Sequence, residues 1–184
     1  MDFKKVKLID PYVEKGWTAE IELKLAESDE VSKLEEKLNV TMPNGYRDYV
    51  TTLGLGEYCS YIRVYMPERV LSEYRENQQF LEEYWLWEMG EDVLSKQRAS
   101  EAIQFADTAY GDVLIFHPSN LSELFVLPRH DDMLHQIGSN LYEAIDWLCV
   151  SHHDPNSGQV GETHNRRYFV PENPLVHTDG WLEP

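Results

Sequence analysis

The chain has 184 residues, 42% of them hydrophobic, which suits one domain with a sizeable core and excludes a disordered polymer. Its 33 acidic residues against 16 basic ones give a formal net charge of -17. That excess argues against nonspecific binding to nucleic acid or to an anionic membrane, since both need positive charge, and it is compatible with a basic protein partner.

Val6 and Leu8 alternate with lysines, a faint strand signal, and Ala19, Ile21, Leu23 and Leu25 alternate with charged residues, a clearer one. From Ser28 to Gly56 the pattern is that of two helices joined by a tight corner. Ser28 reads as the N-cap, and Val31, Leu34 and Leu38 form one apolar stripe. Asn39 weakens the helix and Pro43 blocks its continuation. Tyr46, Tyr49, Val50 and Leu53 then recur at helical spacing, with Gly54 as the C-terminal cap. Pro43 and Tyr46 are expected to organise the corner, with Tyr46 buried. Tyr58 to Tyr65 is rich in aromatic and β-branched residues and reads as one strand.

Pro67 opens a long helix whose apolar members run through Val70, Leu71, Tyr74, Phe80, Leu81, Tyr84, Trp85 and Trp87, with a possible break at Asn77 to Gln79. Over this span Glu68, Glu73, Glu76, Glu82, Glu83, Glu88, Glu91 and Asp92 face only Arg69 and Arg75. Strands are expected at Ala102 to Asp107, Val113 to Phe116, Leu124 to Leu127 and Met133 to Ile137. Ser139 or Asn140 caps a last helix with Leu141, Ile145, Trp147 and Leu148. Consecutive strands at short spacing imply a meander. The expected fold is therefore α+β, a single domain with a mainly antiparallel sheet of about four to six strands packed with helices. Beyond Ser151 the chain is polar and rich in proline and glycine. Residues 1-27 read as an N-terminal strand extension, 28-150 as the domain, and 151-184 as a C-terminal extension packed on it or trailing from it.

The segment LEEKLNVTMPNGYRDYVTTLGLG resembles the signature of the SUKH superfamily, the group of the yeast cell-wall assembly regulator and of many bacterial immunity proteins. The family pattern is a helix ending in Leu-Gly-Val, then Leu-Pro, two residues, Tyr, and a helix running into Asn-Gly-Gly. Leu38, Asn39 and Val40 stand for the first part, Met42, Pro43 and Tyr46 for the second, and Gly54, Leu55 and Gly56 for the last. IQFADTAYGDVLIFHP, from Ile103 to Pro118, is similar to the family's strand, Gly-Asp turn and strand. The resemblance implies a SUKH-like fold and a noncatalytic module that binds a cognate toxin, often a nuclease, and blocks its active site.

No residue pattern points to catalysis. Gly-x-Ser-x-Gly is missing, and Gly54 to Gly56 lacks both the GxGxxG spacing and the Lys-Ser/Thr of a phosphate loop. His152, His153 and His164, with Asp154 and Glu162, are metal-ligand types without metal-ligand spacing. His130 beside Asp131 and Asp132 reads as a charged turn, and neighbouring acids such as Glu82 and Glu83 are commonplace on surfaces. No catalytic residue, metal ligand or cofactor is therefore expected. Cys59 and Cys149 form no disulfide framework and read as buried free thiols of a reducing cytoplasm. The N-terminal stretch is neither a signal peptide nor an anchor, and no segment approaches the roughly 20 apolar residues of a membrane helix.

The expected partner surface is the acidic, aromatic segment around Glu82, Glu83, Trp85, Trp87 and Glu88, with Phe80 and Tyr84 assigned to the core before Trp87. The loops around Tyr58 and Asp107 to Asp112 are the alternative surface. Two other readings stay open. One is a small hydrolase with a dispersed Asp, Glu and His site, and the other is an intracellular regulatory scaffold.

Overall fold

The computed structural model describes residues 2-9, 21-151 and 167-172. Their core is an eight-stranded sheet, larger than the four to six strands expected, with five α-helices packed on it. The helices are α1 (Ser28–Leu38), α2 (Tyr46–Thr52), α3 (Pro67–Glu83), α4 (Lys96–Ser100) and α5 (Leu141–Asp146). The strands are β1 (Lys7–Leu8), β2 (Gly56–Tyr58), β3 (Ile62–Val64), β4 (Ile103–Thr108), β5 (Val113–His117), β6 (Asn120–Leu127), β7 (His135–Gly138) and β8 (Tyr168–Pro171). Their order across the sheet is β1-β8-β2-β3-β4-β5-β6-β7. The β1–β8 pair is parallel and every other pair is antiparallel.

One of the two extra strands comes from outside the central segment. β8 slots between β1 and β2, so both flanking segments complete one sheet. No local periodicity marks Tyr168–Pro171, because an edge vacancy elsewhere in the fold recruits it. The other gain is a division. Tyr58 to Tyr65, expected as one strand, is a hairpin whose turn residues Cys59 and Ser60 sit at φ 58 and φ 52. Two consecutive left-handed residues match the twist of a two-residue hairpin, but Asn-Gly is the usual signal and Cys-Ser gives none. Conversely, Ile21 to Leu25 forms no strand despite its alternation. Its Lys24 carbonyl accepts from Leu55 N–H at 3.0 Å, and Ala26 N–H donates to the Val50 carbonyl at 2.9 Å, so these groups bind the corner rather than a ladder. Ala19 and Glu20 lie outside the described residues.

The helical corner is built from side chains that bridge it. Glu27, not Ser28, caps α1, and the Glu30 carboxylate accepts from Glu27 N–H at 2.7 Å. Asn39 ends the helix at φ 52, a left-handed position that Asn tolerates and that explains its standing where the family pattern has glycine. Glu35 then accepts from Met42 N–H at 2.9 Å and pairs with Arg47 at 2.8 Å, which ties the end of α1 to the start of α2. Pro43 is buried, and its carbonyl accepts from Tyr46 N–H at 3.0 Å. Tyr46 is fully buried and donates its hydroxyl to the Tyr65 carbonyl at 2.8 Å. After α2 the chain passes Gly54 at φ +73, where a Cβ would stand 2.1 Å from the Lys24 carbonyl oxygen. Only glycine meets both demands.

The sheet is buried on both faces. Along β5, Leu114 and Phe116 enter one core and Ile115 the other; along β6, Leu124 and Val126 enter the first and Phe125 and Leu127 the second. Successive strand residues point to opposite faces, so these are cores on the two sides of one sheet. The first is covered by α1, α2 and α5 through Val31, Leu34, Tyr46, Tyr49, Val50, Leu141 and Ile145. The second is closed by Leu81, Trp87, Leu94 and Ala99. A register shift between Gln104 and Ala106 sends both Phe105 and Ala106 into the first core, where Phe105 meets Phe116 edge-on at 5.8 Å.

Tyr46→Ala is expected to cost about 3–5 kcal/mol, the range for large aromatic truncations in cores, and Tyr46→Phe about 1 kcal/mol for the lost hydrogen bond. Urea denaturation of the three proteins checks both values. An unchanged midpoint for the alanine variant would mean that the corner does not depend on this ring.

Candidate partner-binding surface

α3 runs unbroken from Pro67 to Glu83, through Asn77, Gln78 and Gln79. Pro67 at its first turn fixes φ without losing an internal hydrogen bond. The helix starts in the first core with Val70 and ends in the second with Leu81. It does not continue to Trp87. Tyr84 leaves helical geometry at φ -115, ψ 66, and residues 84-87 are irregular before a short 3-10 turn at Glu88–Gly90.

That early end reverses the expected division of the aromatics. Trp87 is 2% exposed, lies in the second core, and donates its indole N–H to the Pro128 carbonyl at 2.7 Å. Trp85 is half-buried and meets Trp87 edge-on at 5.5 Å. Phe80 and Tyr84, assigned to the core from the helical stripe, are 40% and 59% exposed and stack on each other at 5.6 Å. For Tyr84 and Trp87 the physical reason is the chain's turn at Tyr84, which takes them out of the helix whose stripe they were counted in; Phe80 stays within the helix, where Leu81 takes the buried position.

Leu86, Met89 and Val93 stand exposed beside them in the chain, and among the described residues most of the exposed large apolar side chains fall between residues 80 and 93. Glu76, Glu82, Glu83, Glu88, Glu91 and Asp92 are exposed over the same stretch. Of these, Glu83 accepts from the Gln79 amide at 2.7 Å. The segment thus offers apolar and aromatic side chains among carboxylates. Leu86, Met89 and Val93 carried no expectation because no periodicity separates them from core residues.

The alternative surface is internally committed. Tyr58 is fully buried in the first core. Asp107 accepts from Arg63 Nε at 2.6 Å and from the Tyr65 hydroxyl at 3.1 Å, and pairs with Arg69 at 3.5 Å. Arg69 in turn holds Glu73 at 2.9 Å and lies 3.6 Å above the Tyr65 ring. Burial first, and Asp107 second, push the Tyr65 phenol well above its ordinary range, so it acts as a donor here. Asp112 accepts from Thr108 Oγ1 at 2.7 Å, from the Tyr61 hydroxyl at 3.1 Å and from Arg129 N–H at 3.0 Å, which fixes the β4–β5 turn. These carboxylates hold strands and turns together.

Among the described residues, no group of three or more His, Cys, Asp or Glu side chains is placed to hold a metal ion. His152, His153, Asp154, Glu162 and His164 lie outside them. Asp131 accepts from Met133 N–H at 3.0 Å, so the turn at His130 to Asp132 is of the Asx kind. An open cleft is lined by Gln136, Ile137, Gly138, Ser139, Glu143, Asp146 and Trp147. Its carboxylates are engaged: Glu143 by Ser139 at 2.8 Å and Asn140 at 2.9 Å, Asp146 by Arg167 at 3.3 Å.

One serine–histidine–carboxylate chain does occur, in the β5–β6 turn. His117 Nδ1 lies 2.7 Å from Ser119 Oγ, and its Nε2 lies 3.3 Å from Glu101. Ser119 N–H also donates to Nδ1 at 3.2 Å. A backbone N–H at the nucleophile is a usual oxyanion donor, and here it is turned onto the imidazole instead. The arrangement closes a turn and sets the tautomer, with Nδ1 accepting and Nε2–H donating to Glu101.

Trp87→Ala is expected to cost about 3–5 kcal/mol, whereas Tyr84→Ala should stay within about 0.5 kcal/mol of the parent. Paired urea melts distinguish the two. Equal destabilisation would place Tyr84 in the core.

No helix among the described residues is long and apolar enough to cross a membrane. Residues 25–161 match the family model described as the SMI1 / KNR4 family (SUKH-1). No curated protein matches the chain.

Proposed function

The chain belongs to the SMI1 / KNR4 family (SUKH-1), and from that premise we propose that it is a noncatalytic protein-binding module, an immunity protein that neutralises a cognate toxin in the bacterial cytoplasm. The observation that carries the reading is the 80-93 segment, where Phe80, Tyr84, Leu86, Met89 and Val93 stand exposed among carboxylates. Apolar side chains supply contact area that water does not reclaim, and the acids around them steer a basic partner. The net charge of -17 supports the same choice. A nuclease presents positive charge to its substrate, so an acidic inhibitor can mimic that substrate and associate quickly.

The partner surface in this reading comprises Glu82, Glu83, Glu88 and the exposed apolar side chains, with Trp85 at its margin. Trp87 supports it from beneath. A small hydrolase has one observation in its favour, the Ser119–His117–Glu101 chain, and a direct test. Ester or phosphoester hydrolysis lost in His117→Ala would establish it, whereas hydrolysis absent from the parent protein removes it.

The binding proposal is tested with the purified product of the gene next to this one, the place where a cognate toxin would be encoded. Reversing Glu82, Glu83 and Glu88 to Lys should lower the association rate about tenfold or more at low salt and flatten its salt dependence. Tyr84→Ala with Met89→Ala should chiefly raise the dissociation rate. Stopped-flow and surface-based kinetics read the two effects separately. Unchanged rates in both variants, with the fold intact, would move the interface away from residues 80-93.

A further inference from the structure

Among the described residues the sheet ends on one side in β1, two residues long, and on the other in β7, four residues long. β7 pairs with β6, and no strand among the described residues pairs with its outer edge. A strand so placed leaves backbone N–H and C=O groups open to a further strand. Such edges are usually guarded by Lys, Pro or a carboxylate, and β7, His-Gln-Ile-Gly, carries none of them. Its guard is a bulge. Gln136 stands opposite Phe125 and Gly138 opposite Leu124, so Ile137 is the extra residue. Ile137 still enters the first core, while Gln136 is exposed. The bulge bends the strand, so the edge suits a guest of a few residues rather than open-ended pairing.

That edge runs along the open cleft, whose volume is about 510 Å³. Gln136, Ile137 and Gly138 line it from the strand, and Glu143, Asp146 and Trp147 line it from α5 and the turn that follows. Glu143 and Asp146, three apart on α5, share one helix face. Glu143 is exposed, and its hydrogen bonds from Ser139 and Asn140 come from neutral donors, so its charge stays uncompensated. Those bonds, the Ser139 N–H first, hold its carboxyl below the ordinary range. Asp146 already accepts a guanidinium, that of Arg167 at 3.3 Å, with the two side chains 45% and 55% exposed. An ion pair as open to water as that is weak and can be exchanged for another. At the start of β7 the edge adjoins the acidic 80-93 surface. A Cβ at Gly90 would stand 2.7 Å from the Leu134 nitrogen, so the Glu88–Gly90 turn presses on the residue that leads into the strand. Exposed Glu88 and Glu91 flank that contact in the chain.

We propose that an extended basic segment of a protein partner adds as a short strand to the outer edge of β7, pairing its backbone with residues 136-138 and placing a Lys or Arg side chain in the cleft beside Glu143 and Asp146. The proposal rests on the reading of the chain as a module for a basic partner, and it names how that partner is held. Main-chain pairing supplies affinity, and the pocket for alternate side chains supplies specificity. In an extended guest every second side chain points the same way, so basic residues at alternate positions reach the acids. A second copy of the chain is the poorer guest. It carries the same net charge of -17, and pairing β7 with β7 would set two carboxylate-lined edges against each other.

The test uses the full chain and an Arg-Val-Arg-Val-Arg peptide blocked at both ends. A second peptide of the same sequence, N-methylated throughout, keeps the charge and loses the N–H donors. Amide hydrogen exchange read by NMR follows residues 136-138. At about ten times its Kd the first peptide should slow exchange of the outward-facing amides there about tenfold. The N-methylated peptide should leave them unchanged. Asp146→Asn should weaken the first peptide about fivefold, as for the loss of an exposed ion pair. Equal slowing by both peptides, unchanged exchange with the first, or parent affinity in Asp146→Asn would overturn the proposal. The purified product of the gene next to this one separates the two readings. Binding that protects residues 80-93 alone would overturn strand addition and keep the binding module. No binding by that product, with the first peptide still paired to β7, would keep strand addition and remove the toxin as its source. A dimer in sedimentation that protects residues 136-138 at high protein concentration would make the guest a second copy and overturn the proposal.

Discussion

Strands β5 and β6 are apolar on both faces, and a sheet of that kind must be covered twice. Leu114, Phe116, Leu124 and Val126 take one cover; Ile115, Phe125 and Leu127 take the other. Burial of each such side chain contributes roughly 1.5–3 kcal/mol, so neither face can be left to water. The helical pair α1–α2 and helix α5 lie over the first face. The second has no long helix of its own. It is closed by the end of α3, the irregular chain through Trp87 and Leu94, and the short α4. Much of what is unusual in the molecule follows from that thin second cover.

A cover made of irregular chain has to be anchored by individual side chains. Trp87 supplies the volume and anchors itself through Pro128. Gly90 fits where a Cβ would stand 2.6 Å from the Leu134 side chain. With Trp87 and Leu94 turned inward, the residues between and beside them face outward, and several are large and apolar. The segment that shields the second core is therefore also the one that presents apolar surface among acids. Inward-packed and exposed apolar side chains alternate within a stretch of about a dozen residues, which explains why a residue here can be bulky without being core.

On the far side the polar groups do structural work. Asp107 collects two arginines and a phenol, Gln104 donates to the Tyr65 hydroxyl at 2.6 Å, and Asp112 ties the β4–β5 turn to Arg129. Buried polar groups cost free energy unless paired, and these are paired. The central hairpins are held from the side by this network while the two cores hold them from above and below.

The corner from Ser28 to Gly56, the strands β4 to β6 and the capped helix α5 were legible because each depends on local chemistry. A proline stops a helix, glycine alone fits a left-handed crowded position, Asn140 caps α5, and apolar runs bounded by turn residues make strands. The acidity and the richness in aromatics of residues 80-93 were legible as well. Which aromatics are buried was not, since that depends on the helix ending at Glu83 and on a second sheet face that local periodicity does not reveal. The hairpin at Cys59 and Ser60 carries no turn signature, and β8 is a strand because β1 and β2 leave room for it. Composition and local pattern thus determined the class, the helical corner and the chain's own acidity. Tertiary structure decided the eight-strand sheet and the burial of Trp87, because each rests on contacts between residues far apart in the chain.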